Sequence, residues 1–305
     1  MKIFTEEEVM SYTMADAIRD IRATLECQND DKIVNRKQVL MTVDQNNMVM
    51  NFPALDIEKG LSAMKIMSIK DGVSKAHSIL TETESGEVVA NVAASYLTEL
   101  RTGAMSGIAT DLLARGDAKV LGVIGTGRMA VQQVFGVLSV RDIEKIILFN
   151  RHLEKAESFK DKITALGANC EIEIVDDVNV LTEQSDIINT ATPAKEAVFE
   201  DAYVKDGTHI NGIGAFMPST KELNVDTIGR AKYVIADYKK GVETSAGGFI
   251  EAVKQGKFEF DRLIQLNEAL EMRFDRVDTD ITVFKSVGAS MYDMAVAIGA
   301  YEKLK

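Results

Sequence analysis

The chain has 305 residues, 46% of them hydrophobic, with 35 Lys and Arg against 47 Asp and Glu, a formal net charge of −12. That length and composition suffice for one large core or two ordinary ones, one of which can be discontinuous in sequence, and they exclude a disordered or fibrous protein. The acidic surface repels phosphate backbones and anionic lipid, and no basic patch offsets it, so neither nucleic acid nor a membrane is expected as a partner.

The opening Met1-Lys2-Ile3-Phe4-Thr5-Glu6-Glu7-Glu8 lacks the basic region, apolar run and small-residue cleavage site of a secretory signal, and its acidity argues against a transit peptide. The longest uncharged apolar stretches, around 120–124 and 294–300, fall far short of the roughly 20 residues that cross a bilayer. The expected location is therefore the cytoplasm. Residues 6–25 place Val9, Met10, Met14, Ala17, Ile18, Ile21 and Leu25 at helical spacing, with Thr5 as the N-cap, and predict a surface helix. Cys27 and Cys170 stand far apart with no CxxC and no companion histidine, so no disulfide framework and no metal site is expected, only buried free thiols.

Between 37 and 92 the texture turns to short β-rich runs at 38–43, 48–52, 61–69, 78–81 and 87–92. Turn-like residues at 44–47, 71–72 and 84–86 separate them, predicting an antiparallel meander. A helix is expected near 97–114. From Lys119 strands mostly alternate with helices (120–124, 128–138, 145–149, 153–166, 171–175, 186–190, 209–213 and 233–236), which predicts a parallel sheet with helices on both faces and right-handed crossovers. The fold class is thus α/β, a Rossmann-type domain plus an α+β domain. Residues 287–304 are helical in pattern and are expected to pack back on the N-terminal part. The change of rhythm near 113–118 sets domains of 1–114, completed by 287–305, and 115–286.

Gly125, Gly127 and Ala130 match G-x-G-x-x-G/A directly after the apolar Val120-Leu121-Gly122-Val123-Ile124 and at the start of a helix. The first glycine permits the tight turn, the second lets backbone approach a pyrophosphate, and the small third residue allows close helix–strand contact. The helix N-terminus at Arg128 and Met129 offers free N–H groups to the phosphates. The next strand ends in Asn150-Arg151, where NAD-specific folds carry an acidic residue for the ribose hydroxyls. A neutral amide and a guanidinium suit a 2′-phosphate, so NADP(H) is favoured and NAD(H) stays possible.

The stretch Leu97-Thr98-Glu99-Leu100-Arg101-Thr102-Gly103-Ala104-Met105-Ser106-Gly107-Ile108-Ala109, with Leu113-Ala114-Arg115 and the glycine turn after it, resembles the ornithine cyclodeaminase/mu-crystallin family. So do Ala63-Met64-Lys65-Ile66, Asn150-Arg151, His209-Ile210-Asn211-Gly212-Ile213-Gly214-Ala215 and Thr282-Val283-Phe284-Lys285-Ser286-Val287-Gly288. The resemblance implies a two-domain subunit, a homodimer, and hydride exchange between a nicotinamide and the carbon bearing an amine or imine. It also implies cofactor contacts at Thr102, Thr190, Ala191, Ile213 and Ser286 beside those of the glycine turn, and a substrate-carboxylate clamp at Arg36, Lys65 and Arg101. A bidentate arginine would orient the α-carbon. Lys65 sits in an apolar run where burial lowers its pKa and fits it to proton transfer at the nitrogen, so Lys65 and Arg101 are the candidate catalytic pair. His77 is placed to donate to the carboxamide or the substrate, with a polar core residue as the alternative. His152 and His209 are expected to be structural.

Cyclodeaminases of the family place an Asp two residues after the turn that corresponds to Gly214, where this chain has Phe216. Phenylalanine moves no proton, which argues against ornithine cyclisation and for imine reduction or amino-acid dehydrogenation. The Phe216-Met217 pair can line a pocket for a cyclic or hydrophobic substrate. A cyclodeaminase using NAD catalytically and a non-catalytic ligand-binding protein remain the alternatives; retention of Lys65 and Arg101 disfavours the second.

Overall fold

The computed structural model describes residues 1–36, 38–42, 44, 47–71 and 73–305. Val43, at the end of an expected strand, and Gln45, Asn46 and Gly72, in two expected turns, lie outside the described residues. The contacts divide the chain into Met1–Ala104 with Ala289–Lys305, and Met105–Gly288. The sequence set this boundary at 114/115; the division runs instead through the helix Ser95–Leu113.

In the first unit the N-terminal helical stretch is two helices, Glu6–Val9 and Met14–Asn29. They separate because Thr13 takes an extended backbone and caps the second one, its hydroxyl accepting from the Asp16 N–H while the Asp16 carboxylate accepts from Thr13. The sheet comprises β1 (Lys2–Phe4), β2 (Ile33–Asn35), β3 (Val39–Thr42), β4 (Asn47–Asp56), β5 (Leu61–Lys70), β6 (Val73–Glu82) and β7 (Val88–Ala93). Strands β4 to β7 form the antiparallel meander in sequence order, and β3 pairs with β4. The sequence pattern missed β1, which closes the far edge by pairing parallel with β7, and β2, which pairs with β4; both are three residues long, too short to show a period. The C-terminal helix Ser290–Leu304 packs on β4, β5 and the helix Met14–Asn29, with an unbroken buried run from Ser290 to Ala300.

The second unit is an eight-stranded sheet of β8 (Val120–Ile124), β9 (Lys145–Phe149), β10 (Glu171–Ile174), β11 (Ile187–Thr190), β12 (His209–Gly212), β13 (Tyr233–Ala236), β14 (Leu263–Gln265) and β15 (Thr282–Lys285). All pairings are parallel, in the order β10-β9-β8-β11-β12-β15-β13-β14. The chain therefore reverses its direction of sheet growth between β8 and β11. In an open parallel sheet that switch point leaves a crevice at the carboxyl ends of the strands, where ligands bind. Across the sheet runs a buried polar seam. The His209 ring bonds Thr282 (2.9 Å) and Asn211 (3.1 Å), Asn211 donates to Asn189 Oδ1 (2.8 Å), and Asn189 donates to the Gln133 carbonyl (3.1 Å). Burial pushes His209 down to about 3, so the ring is neutral.

Cys27 and Cys170 are free and half-buried rather than buried. Among the described residues no helix is long and apolar enough to cross a membrane.

Candidate functional site

Lys65 lies mid-strand in β5 on the face that packs inward with Ala63, and Phe52 and Ser78 stand opposite it on the neighbouring strands. Its ammonium donates to Asp293 Oδ1 at 2.8 Å, and Arg101 Nε donates to the same oxygen at 3.0 Å. Lys65 and Asp293 are each 2% exposed and Arg101 10%. The ammonium also sits 4.1 Å from the Phe52 ring centroid, so an aromatic face replaces part of its lost hydration. Burial lowers the Lys65 pKa to about 8, with Arg101 adding to the fall and Asp293 opposing it. Two cations on one carboxylate oxygen leave a buried net positive site, which suits an anionic ligand. The terminal nitrogens of Arg101 make no hydrogen bond among the described residues and remain available as a fork for a carboxylate.

The remaining residues expected in this unit are placed differently. Arg36 is exposed, with Nη1 reaching only the Asn35 carbonyl at 3.5 Å; its backbone is tied to the start of the C-terminal helix, its carbonyl accepting from Ser290 Oγ at 3.2 Å. Its guanidinium therefore does not join the Lys65–Asp293–Arg101 cluster. His77 stands opposite Ile66 in the sheet register, one residue out of phase with Lys65, which turns it to the other face of the sheet. There it is exposed and bonds Asn91 Oδ1 at 3.2 Å. The expected donation by His77 to the same substrate as Lys65 is corrected by this period-two geometry. Thr102 is buried and donates to the Thr98 carbonyl at 2.7 Å, which leaves its oxygen lone pairs for a further donor.

In the second unit the glycine turn leaves β8 at the switch point. Gly125 has φ +90°, and a Cβ there would meet Thr192 Cγ2 at 2.5 Å and the Ala191 carbonyl oxygen at 2.9 Å, so conformation and space both require glycine. A Cβ on Gly127 would meet nothing within 4 Å, and no side chain caps the helix Arg128–Leu138 that follows. The space beside Gly127 at the start of this helix is thus open to a group the size of a pyrophosphate. Arg128 is exposed and Met129 half-buried. Asn150 donates to Thr126 Oγ1 at 2.7 Å and accepts from the His152 N–H at 3.0 Å, while Arg151 is exposed. Thr190, ending β11, has a buried hydroxyl with no partner among the described residues. Ala191 and Ile213 follow β11 and β12 on the same side of the sheet. The open space at Gly127 and the orphaned Thr190 hydroxyl fit a dinucleotide.

Three buried charges here were not among the expected site residues, although Lys285 lies inside the motif 282–288. Glu222 accepts from Thr192 N (2.6 Å) and Thr192 Oγ1 (2.9 Å) on one oxygen, and from Gly214 N (2.7 Å) and Ala215 N (3.0 Å) on the other. Lys285, at the end of β15, donates to the Gly212 carbonyl at 2.9 Å, and burial lowers it to about 8. Asp237 accepts from Ser286 Oγ at 2.7 Å and from the N–H groups of Val287 and Gly288. The Ser286 hydroxyl proton is therefore directed at Asp237 rather than at a cofactor. In the first unit Asp293 was also missed. Its signal was legible: an acidic residue inside Ser290–Leu304, a helix otherwise apolar from Met291 to Ala300.

A parallel sheet with a glycine turn at its switch point, in one chain with an α+β unit holding buried cations, defines a Rossmann-type dinucleotide protein of the oxidoreductase kind. More narrowly, the chain belongs to the ornithine cyclodeaminase/mu-crystallin family, whose model matches residues 2–305. It is 33% identical over 314 aligned residues to a Δ1-pyrroline-2-carboxylate reductase of Bacillus cereus, covering 99% of this chain and 93% of that one. Its fold superimposes on the Δ1-pyrroline-2-carboxylate reductase of Thermococcus litoralis in complex with NADH and L-proline, with TM-score 0.93 and 28% identity over 99% and 97% of the two chains. An archaeal alanine dehydrogenase dimer with bound NAD matches with TM-score 0.90 and 27% identity over 99% and 95%.

Proposed function

We propose that the chain reduces a small cyclic imino acid to the amino acid, with Lys65 as proton donor and Arg101 as the carboxylate grip. It is an NAD(P)-dependent oxidoreductase acting at the C–N bond of a small amino or imino acid. The observation that carries the finer reading is the buried Lys65–Asp293–Arg101 cluster: a carboxylate-binding fork next to an ammonium that gives up its proton near neutral pH. The bound nicotinamide supplies the hydride. Arg101 orients the substrate through its two free nitrogens, and Lys65 protonates the imine nitrogen so that its carbon accepts the hydride. At position 216 the chain offers Phe, 53% exposed, where a ring-closing cyclodeaminase needs a carboxylate.

The strand-end pair Asn150-Arg151 supports NADP(H) as the preferred cofactor, with Arg151 free to reach a 2′-phosphate. A second copy of the chain is the proposed partner. Ile3, Val39, Met41, Met64 and Ile66 share the outer face of the first unit's sheet by register and are 64%, 53%, 49%, 38% and 38% exposed. An apolar sheet face of that kind marks an interface.

The test follows cofactor absorbance with NADPH and NADH in turn, using pyrroline-2-carboxylate, piperideine-2-carboxylate, and pyruvate plus ammonia. Net cofactor oxidation with a cyclic imine, faster with NADPH, is expected. Release of ammonia from ornithine without net cofactor change would overturn the reading.

A further inference from the structure

Asp293 is buried and its two oxygens are unequally used. Oδ1 takes both cations, whereas Oδ2 has no hydrogen-bond partner among the described residues. A second orphan stands on the same sheet face. Ser78, 1% exposed and directly opposite Lys65 in the register, has a hydroxyl oxygen that is also unpartnered. A buried carboxylate oxygen without a donor costs free energy, and two unsatisfied polar atoms around one ammonium are unusual in a packed interior. Both are explained if a ligand bearing an N–H completes the cluster.

We propose that Asp293 Oδ2 accepts the N–H of the substrate nitrogen, so that Asp293 is a substrate-binding residue as well as the anchor of Lys65 and Arg101. This rests on the imine-reductase reading and adds a third group to it. The proton on Lys65 Nζ passes to the imine nitrogen, giving an iminium; the hydride from the reduced dinucleotide lands on its carbon; the C=N π pair becomes the nitrogen lone pair. The neutral Lys65 is reprotonated from solvent. The N–H created in the first step points to Oδ2, and a carboxylate there stabilises the positive charge while it exists. The charged groups acting on Lys65 are Asp293 and Arg101, and its cross-strand neighbours Phe52 and Ser78 carry no charge.

Asp293→Asn keeps the shape and removes the charge. Two readouts are expected in the folded variant: kcat/KM for the imine falls by about a hundredfold with dinucleotide affinity unchanged, and the high-pH limb of the rate profile moves to lower pH because the Lys65 ammonium has lost its counter-charge. A folded variant with the wild-type limb and kcat/KM would overturn the proposal. Since leaving two buried cations without a carboxylate endangers folding, a measurement on the wild-type protein stands beside it. L-proline and its oxygen isostere tetrahydrofuran-2-carboxylate share ring and carboxylate but only the first carries N–H. Proline is expected to inhibit imine reduction at least about tenfold more strongly, as befits a site built around a donor; equal inhibition sinks the role of Oδ2. A wild-type protein that reduces no imine overturns the functional reading itself, a result distinct from either.

Discussion

Lys65 shows how one side chain's environment fixes its chemistry. An exposed lysine holds its proton far above neutrality; at 2% exposure beside a single carboxylate oxygen and a competing guanidinium it releases it near pH 8. With Lys65 as the proposed proton donor, the ammonium would be the active form in the reductive direction, so the rate is expected to fall as pH rises through about 8, and amine oxidation to rise over the same interval. Lys65→Ala is expected to lower kcat by about 10²- to 10⁴-fold with dinucleotide affinity retained; surviving turnover would show that another group moves the proton. The position of Lys65 was legible because a charge in an otherwise apolar run must be either an edge residue or a buried one. Its partner Asp293, 228 residues further on (293 − 65), lies in a helix whose apolar periodicity drew attention away from the single charge it carries. His77 illustrates the converse, since one residue of strand register decides which face a side chain meets, and that register is set by pairing rather than by the local sequence.

Among the elements, the long strands and helices were readable where a period could be counted, and unreadable where three residues carried the structure, as in β1 and β2. The helix break at residues 10–13 escaped because Met10 and Met14 continue the apolar stripe across it, while the capping box of Thr13 and Asp16 was not weighed against that stripe. The glycine turn was legible by spacing, but the loops that face it were not. Gly214 has its Cβ position 2.2 Å from both the Thr192 nitrogen and oxygen, so the loops after β11 and β12 touch backbone to backbone. Gly214→Ala is expected to push them apart, at a cost of about 1–3 kcal/mol in thermal unfolding and a clear loss of dinucleotide affinity by fluorescence titration. An unchanged affinity would place the cofactor elsewhere.

At the scale of the molecule, the alternation of strand and helix gave the parallel sheet. The boundary of the first unit was displaced because Ser95–Leu113 is one continuous helix that runs through Gly103 unbroken, with no loop or proline at residue 104 to mark a division. The apolar outer face proposed for a second copy was not legible either: Met64 and Ile66 were only part of an apolar run until the register put Lys65 inward and them outward. Ile66→Asp is expected to convert a dimer to a monomer in size-exclusion chromatography with light scattering, since a charge at the centre of an apolar interface is left unpaired. A wild-type protein that already elutes as a monomer would remove the basis for that partner.

Glu222 joins the loops after β11 and β12 through one carboxylate, each oxygen serving one loop. The two segments thereby become a single mechanical plate, clamped by a side chain from the far end of the second loop. A disturbance in one is expected to reach the other through that carboxylate, without passing through the sheet.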